Sequence, residues 1–250
     1  MAPHVKVRPT GRRNSRLDTT YENRSIGLVK EHPEVACLFL PAWVVGNDVH
    51  SEKMLCDGSE FIISYIKSSV DIVNFCLACY TLLNRLHAVG VAHGDAKVNN
   101  ILVKELKRPP LPGELTFMWQ TKRMSLVFCD YETLFFYWDT SNDAHWNGMI
   151  VGKRWYGMRP AVEMRARFEN VLAADLYALT SSILYHLTGC RLMDCLALLI
   201  NRTIFPLKHP ALRNATFYFY VPDRTANYHF ATAAKACESL KVLRASLGVR

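Results

Sequence analysis

The residues best equipped for chemistry are gathered between His93 and Asn100 and again at Asp130. In His93-Gly94-Asp95-Ala96-Lys97-Val98-Asn99-Asn100 a carboxylate, an ammonium and an amide stand close together, just ahead of the apolar Ile101-Leu102-Val103. A second carboxylate, Asp130, ends another apolar run, Leu126-Val127-Phe128-Cys129. This set suits phosphoryl transfer from a metal nucleotide. The reaction needs a carboxylate to orient or deprotonate the acceptor hydroxyl, an amide and a second carboxylate for divalent metal, and a cation to offset charge on the transferred group.

The elements that must position these groups are legible around them. From Val70 the apolar positions Ile72, Val73, Phe75, Cys76, Cys79, Tyr80, Leu82, Leu83 and Leu86 recur at helical spacing, which predicts a long buried helix ending near His87, with Gly90 as its stop. Ile101 to Val103 and Ser125 to Cys129 read as short strands, the second delivering Asp130. Between them Pro109, Pro110, Pro112 and Gly113 exclude a helix through Lys104 to Arg123, leaving an extended hairpin connection or a surface insertion. Upstream, Ile26 to Lys30 and Val35 to Val45 read as strands. Gly46 to Gly58 reads as a linker into a short helix over Phe61 to Lys67. Downstream, Tyr131 to Arg159 lacks periodicity, as a long functional loop would. Asn170 to Thr188, Met193 to Ile200 and Phe230 to Leu247 read as helices, and Thr216 to Val221 as β-like.

Composition bounds the class. With 250 residues, half of them apolar, the chain can bury a substantial core and reads as globular. A net charge of +8 favours polyanionic partners, nucleotides included, but no recognised nucleic-acid module accompanies it, so nucleic acid is not the expected partner. Met1 to Arg24 is basic and poor in apolar residues, which predicts a flexible arm. Eight cysteines without a signal peptide point to reduced thiols and an intracellular setting, cytoplasmic or nuclear. Cys76 and Cys79 form a C-x-x-C, but they lie within the apolar helix with no second pair to complete a zinc site, so they read as buried helix residues. The apolar runs are shorter than the roughly 20 residues a membrane span needs, and no membrane association is expected.

Placed together, these pieces resemble the large carboxy-terminal lobe of the protein kinase superfamily. His93 to Asn100 is similar to the catalytic loop H-x-D-x-K-x-x-N, preceded by a helix ending in Leu-His and followed by Ile-Leu-Val. Asp130-Tyr131-Glu132 sits where the family has D-F-G, Ala161-Val162-Glu163 where it has A-P-E, and Asp175-Leu176-Tyr177-Ala178-Leu179 resembles the helix whose buried Asp braces the loop. The resemblance covers about residues 35 to 190. It implies an α+β, protein-kinase-like fold, with a mostly helical C-terminal lobe over 47–250 and a truncated, β-rich N-terminal lobe whose remnant is 25–46, behind the arm at 1–24. It also assigns roles. Asp95 orients or accepts the proton of the acceptor hydroxyl, Lys97 faces the transferred phosphate, Asn100 and Asp130 hold Mg2+ with ATP, and His93 packs the loop. Glu163 holds the activation segment. Lys30, in Gly27-Leu28-Val29-Lys30, superficially resembles the phosphate-binding lysine of V-A-I-K, although no room is apparent for the helix that would supply its glutamate partner.

The departures carry information too. Gly94 replaces an arginine that in many kinases pairs with a phosphorylated activation loop, so Thr133, Thr140 and Ser141 are read as ordinary hydroxyls. Glu132 replaces a glycine and adds charge beside the expected metal. No G-x-G-x-x-G precedes the loop. The resemblance therefore implies a divergent protein serine/threonine kinase acting on a protein substrate. One alternative is a pseudokinase or truncated regulatory paralogue, with a protein partner completing or regulating the small lobe. A second is a small-molecule phosphotransferase of the aminoglycoside or choline type, in which H-G-D and D-Y-E are common but an A-P-E segment before the Asp175 helix is not.

Overall fold

The structure, a computed structural model, describes residues 4–6, 15–46, 48–139, 168–188 and 233–246. It is a mixed α and β fold built around the helix that the apolar spacing predicts, here α4 (Ser69–Ala88). Its start is fixed by a capping box: the Ser68 side chain accepts from the Asp71 backbone N–H, and the Asp71 carboxylate accepts from the Ser68 N–H. Its end is set by Gly90 at φ +76, a left-handed conformation that glycine adopts without steric cost. Ile72, Val73, Phe75, Cys76, Cys79, Leu82, Leu83 and Leu86 are almost wholly withdrawn from solvent, which makes α4 the core of the molecule. Helices α5 (Phe168–Thr188) and α6 (Ala233–Ser246) pack against it, α5 through a 2.8 Å hydrogen bond between Tyr80 Oη and Thr180 Oγ1. Cys76 and Cys79 are free, fully buried thiols. Desolvation pushes the Cys76 thiol up to about 12 and raises Cys79 as well, which removes the thiolate needed for metal or redox work.

The strands form three antiparallel groups. Short β4 (Cys56–Asp57), β6 (Ile101–Glu105), β7 (Thr116–Trp119) and β8 (Lys122–Phe128) make a sheet in the order β4-β6-β8-β7, with Ile101 opposite Phe128 and Glu105 opposite Met124. The proline-rich connection of the sequence is thus the path into the β7–β8 hairpin. Strand β5 (Val91–Ala92), which follows α4, pairs with β9 (Phe135–Phe136), within the segment that follows Asp130. A third sheet, in the order β1-β3-β2, joins β1 (His4–Lys6), β2 (Ala42–Val45) and β3 (Asp48–Ser51). Among the described residues no helix is long and apolar enough to cross a membrane.

The N-terminal part departs from expectation. Residues 15–24 of the expected flexible arm and the expected strand over Ile26–Lys30 form one helix, α1 (Ser15–Glu31), with Tyr21, Glu22, Ser25, Ile26 and Val29 buried along it. Lys30, expected at the end of a strand, stands instead in the last turn of this helix. The expected strand Val35–Val45 begins instead as the short helix α2 (Pro33–Ala36), and only Ala42–Val45 is ladder strand. Between them Leu38–Leu40 runs beside the end of β8: Phe128 N donates to Leu38 O and Leu40 N to Phe128 O, both at 2.8 Å. The expected linker over Gly46–Gly58 contains β3, β4 and the first residue of α3 (Gly58–Ser64). The expectations for Ala161–Glu163, Met193–Ile200 and Thr216–Val221 lie outside the described residues, as do Thr140 and Ser141.

Candidate functional site

The polar loop is fastened from beneath by one residue of α5. The Asp175 carboxylate is fully buried and accepts from the backbone N–H of His93 at 2.6 Å and of Gly94 at 2.8 Å, with His87 Nε2 at 3.3 Å. A carboxylate in so dry a place is tolerable because these partners satisfy it, and charge-assisted bonds of this kind are the stronger sort. A second tie from α5 joins the loop further along, where Val98 N donates to Ser182 Oγ at 3.0 Å.

His93 is buried between Phe39 and Phe128. Its Nδ1 accepts from the Asp95 N–H at 3.3 Å, so Nε2 carries the proton and donates to the Cys129 carbonyl at 2.9 Å. Burial lowers its pKa from the ordinary 6.5, against the opposing pull of Asp175, Asp130 and Asp95. This neutral ring ties the loop to the residue preceding Asp130. A second bond runs the same way, from Cys129 N to the Asn100 carbonyl at 2.9 Å.

Above this base Asp95, Lys97 and Asn100 meet. Asp95 Oδ2 accepts from Lys97 Nζ at 2.6 Å and from Asn100 Nδ2 at 3.1 Å, and the same amide nitrogen donates to the Asp95 carbonyl at 2.9 Å. The Asp95–Lys97 pair is partly open to solvent, the state a group that must meet substrate requires. Because the Asn100 nitrogen is committed to Asp95, its Oδ1 is the atom left to accept or coordinate. Asn99 turns the other way, donating to Ser59 Oγ at 2.9 Å near the start of α3.

Asp130 follows β8 at φ +71, a left-handed turn that aspartate tolerates better than most residues. Tyr131 is buried and donates its hydroxyl to the Leu40 carbonyl; its pKa is raised by burial. Oxygens of Asp130, Glu132 and Glu22 lie within 4.8 Å of one another, with Glu22 buried in α1. Three carboxylates so close form a hard-oxygen set of the kind divalent cations take.

Three of the four expected loop and metal residues, Asp95, Lys97 and Asn100, are thus joined by direct bonds. Asp130 is tied to them through the backbone of Cys129. Lys30 stands exposed in the last turn of α1 and makes no ion pair among the described residues. Glu163 lies outside the described residues. Glu22 is the residue that sequence reasoning missed. Its signal was its place on one helical face with Tyr21, Ser25, Ile26 and Val29.

No protein-family model and no curated protein matches the chain. Among solved structures it is similar to one described as "Crystal structure of Rad53 kinase domain and SCD2", with a TM-score of 0.46 and 12% identity, covering 96% of this chain and 88% of that one. Likeness that distant carries neither fold nor activity, and the functional reading rests on the site's own chemistry.

Proposed function

We propose that this chain is a phosphotransferase of the protein-kinase type, moving the γ-phosphate of ATP to a serine or threonine hydroxyl of a protein. The observation that carries the reading is the Asp175 carboxylate holding the His93 and Gly94 amides, because it presents Asp95, Lys97 and Asn100 as one preset group. In this reading Asp95 accepts the hydroxyl proton as the acceptor oxygen bonds to the γ-phosphorus and the bond from phosphorus to the ADP oxygen breaks. Lys97 moves from Asp95 to the transferred phosphate. Asn100 Oδ1 and Asp130 would hold magnesium, a fit supported by the committed Asn100 nitrogen and by the carboxylates gathered around Asp130. The ion would neutralise charge on the phosphates.

The test is magnesium-dependent transfer of labelled phosphate from ATP to a generic protein substrate by wild type and Asp95→Asn. The variant is expected to lose at least about a hundredfold, the lower end of what a positioned base contributes. Wild-type transfer no greater than the variant's would replace this reading with that of a non-catalytic binding protein.

One observation favours a second reading. Gly94 packs so closely on Thr133 that the loop has no room for a side chain there, in keeping with the H-G-D of small-molecule phosphotransferases. Turnover on choline or an aminoglycoside, with none on protein, would select that reading.

A further inference from the structure

Gly94 and Thr133 meet between the two halves of the site. Gly94 has φ +73, and a Cβ there would fall 2.1 Å from the Thr133 carbonyl oxygen and 3.0 Å from its Cβ, so conformation and contact both select glycine. Thr133 closes the contact from its own side, donating Oγ1 to the His93 carbonyl at 2.8 Å. The residue it grips is already fixed, since the His93 N–H is held by Asp175 and its ring by the Cys129 carbonyl. The chain leaves β8, turns at Asp130, and three residues later is fastened to the backbone just before Asp95.

We propose that Thr133 is a positioning residue that sets Asp130 at a fixed distance from Asp95 and Asn100, and that Gly94 is the residue that lets it approach. This rests on the phosphotransferase reading, and it deepens that reading by making the site self-assembling. The fastening is a hydroxyl-to-carbonyl bond between two residues of the chain, and it needs no added phosphate to form. Loosening it removes no candidate catalytic or metal-holding side chain but lets Asp130 wander relative to Asn100. The cost therefore falls on magnesium-nucleotide binding before it falls on the transfer step.

The experiment compares wild type, Thr133→Val, Thr133→Ser and Gly94→Ala. Two magnesium half-saturations are measured, one for ATP-dependent thermal stabilisation and one for turnover, together with the melting temperature of each ligand-free protein. Thr133→Val keeps the shape and loses the hydroxyl, and is expected to raise both half-saturations about fivefold to tenfold, the effect of one lost hydrogen bond. Thr133→Ser keeps the donor and is expected to stay within about twofold of wild type. Gly94→Ala is expected to shift at least as far as Thr133→Val. Valine and serine variants with the same half-saturation, or a Gly94→Ala protein with wild-type magnesium dependence, would overturn the proposal while wild-type activity leaves the phosphotransferase reading standing. A wild-type protein that magnesium and ATP neither stabilise nor drive to transfer would instead remove that reading, and the positioning role with it.

Discussion

The candidate site touches α5 on one side and α1 on the other, and the two contacts differ in what they bury. Against α5 the loop offers backbone N–H groups, and a fully buried carboxylate takes both. Against α1 the segment after Asp130 is held by Tyr21 Oη donating to the Leu134 carbonyl at 2.5 Å and by an Arg24–Asp139 ion pair at 2.6 Å, in which the arginine is 45% exposed. The first contact cannot be exchanged for water. The second, in its charged part, can. The loop bearing Asp95 is thus built into the core, while the segment bearing Asp130 and Glu132 meets α1 through bonds that open at lower cost.

The sharpest way to break this comparison is Asp175→Ala. It leaves the buried His93 amide and the half-buried Gly94 amide without an acceptor, at roughly 1–3 kcal/mol for each that water does not reach, so a loss of up to about 6 kcal/mol is expected. That approaches the whole stability of many domains. Urea or thermal unfolding measures it. A loss under about 1 kcal/mol would mean that water reaches those amides and that the α5 side is no more built-in than the α1 side.

The same contrast explains what the sequence disclosed. Helix α4 was legible because nearly all of its buried face is apolar at helical spacing, and because a local signal, Gly90, marks its end. Strands β6 and β8 were legible as two apolar runs separated by prolines that exclude a helix, while the hairpin connection and the surface insertion both stayed open and their pairing is a finding of the structure. Loop residues Asp95, Lys97 and Asn100 stood out because their spacing is short enough for one turn of chain to gather them. Helix α1 was illegible because two of the five buried positions among its described side chains, Glu22 and Ser25, are polar, which dilutes the period, and Gly27 and Val29 lower helix propensity. Its burial comes from tertiary contacts with distant residues such as Leu134, which no local window contains. Cys37-Leu38-Phe39-Leu40 failed for another reason: a short apolar run fits a buried strand as well as other buried chain, and here only Phe39 forms a bridge. Glu22 was lost with its helix.

His93 gives a test of intermediate size, directed at the α5 side. Burial holds the folded ring neutral, so its folded pKa lies below the 6.5 of the unfolded chain. As the pH falls through that value the unfolded state takes up a proton the folded state refuses, and stability is lost downward from 6.5 until the folded pKa is reached. At most this amounts to about 1.4 kcal/mol per pH unit for one proton. His93→Gln has no ring to protonate, and its stability is expected to lack this component. Urea midpoints of both proteins between about pH 5 and pH 8 report the difference. Parallel curves would show that His93 is accessible to protons in the folded state, and the base of the loop would be wetter than its contacts imply.

The smallest effect belongs to Arg24→Ala on the α1 side. An ion pair with one partner so open gains little in high dielectric and also restrains a long side chain, so about 0.2–1 kcal/mol is expected in low salt, most of it gone in high salt. What remains of the α1 contact is then the buried Tyr21 bond to the Leu134 carbonyl, which salt does not weaken. Urea midpoints of wild type and Arg24→Ala at low and high ionic strength separate the two parts. A salt-insensitive loss of several kcal/mol would place Arg24 among buried, fully satisfied groups. The α1 side would then be as firmly built as the α5 side, and the positions of Asp130 and Glu132 as fixed as that of Asp95.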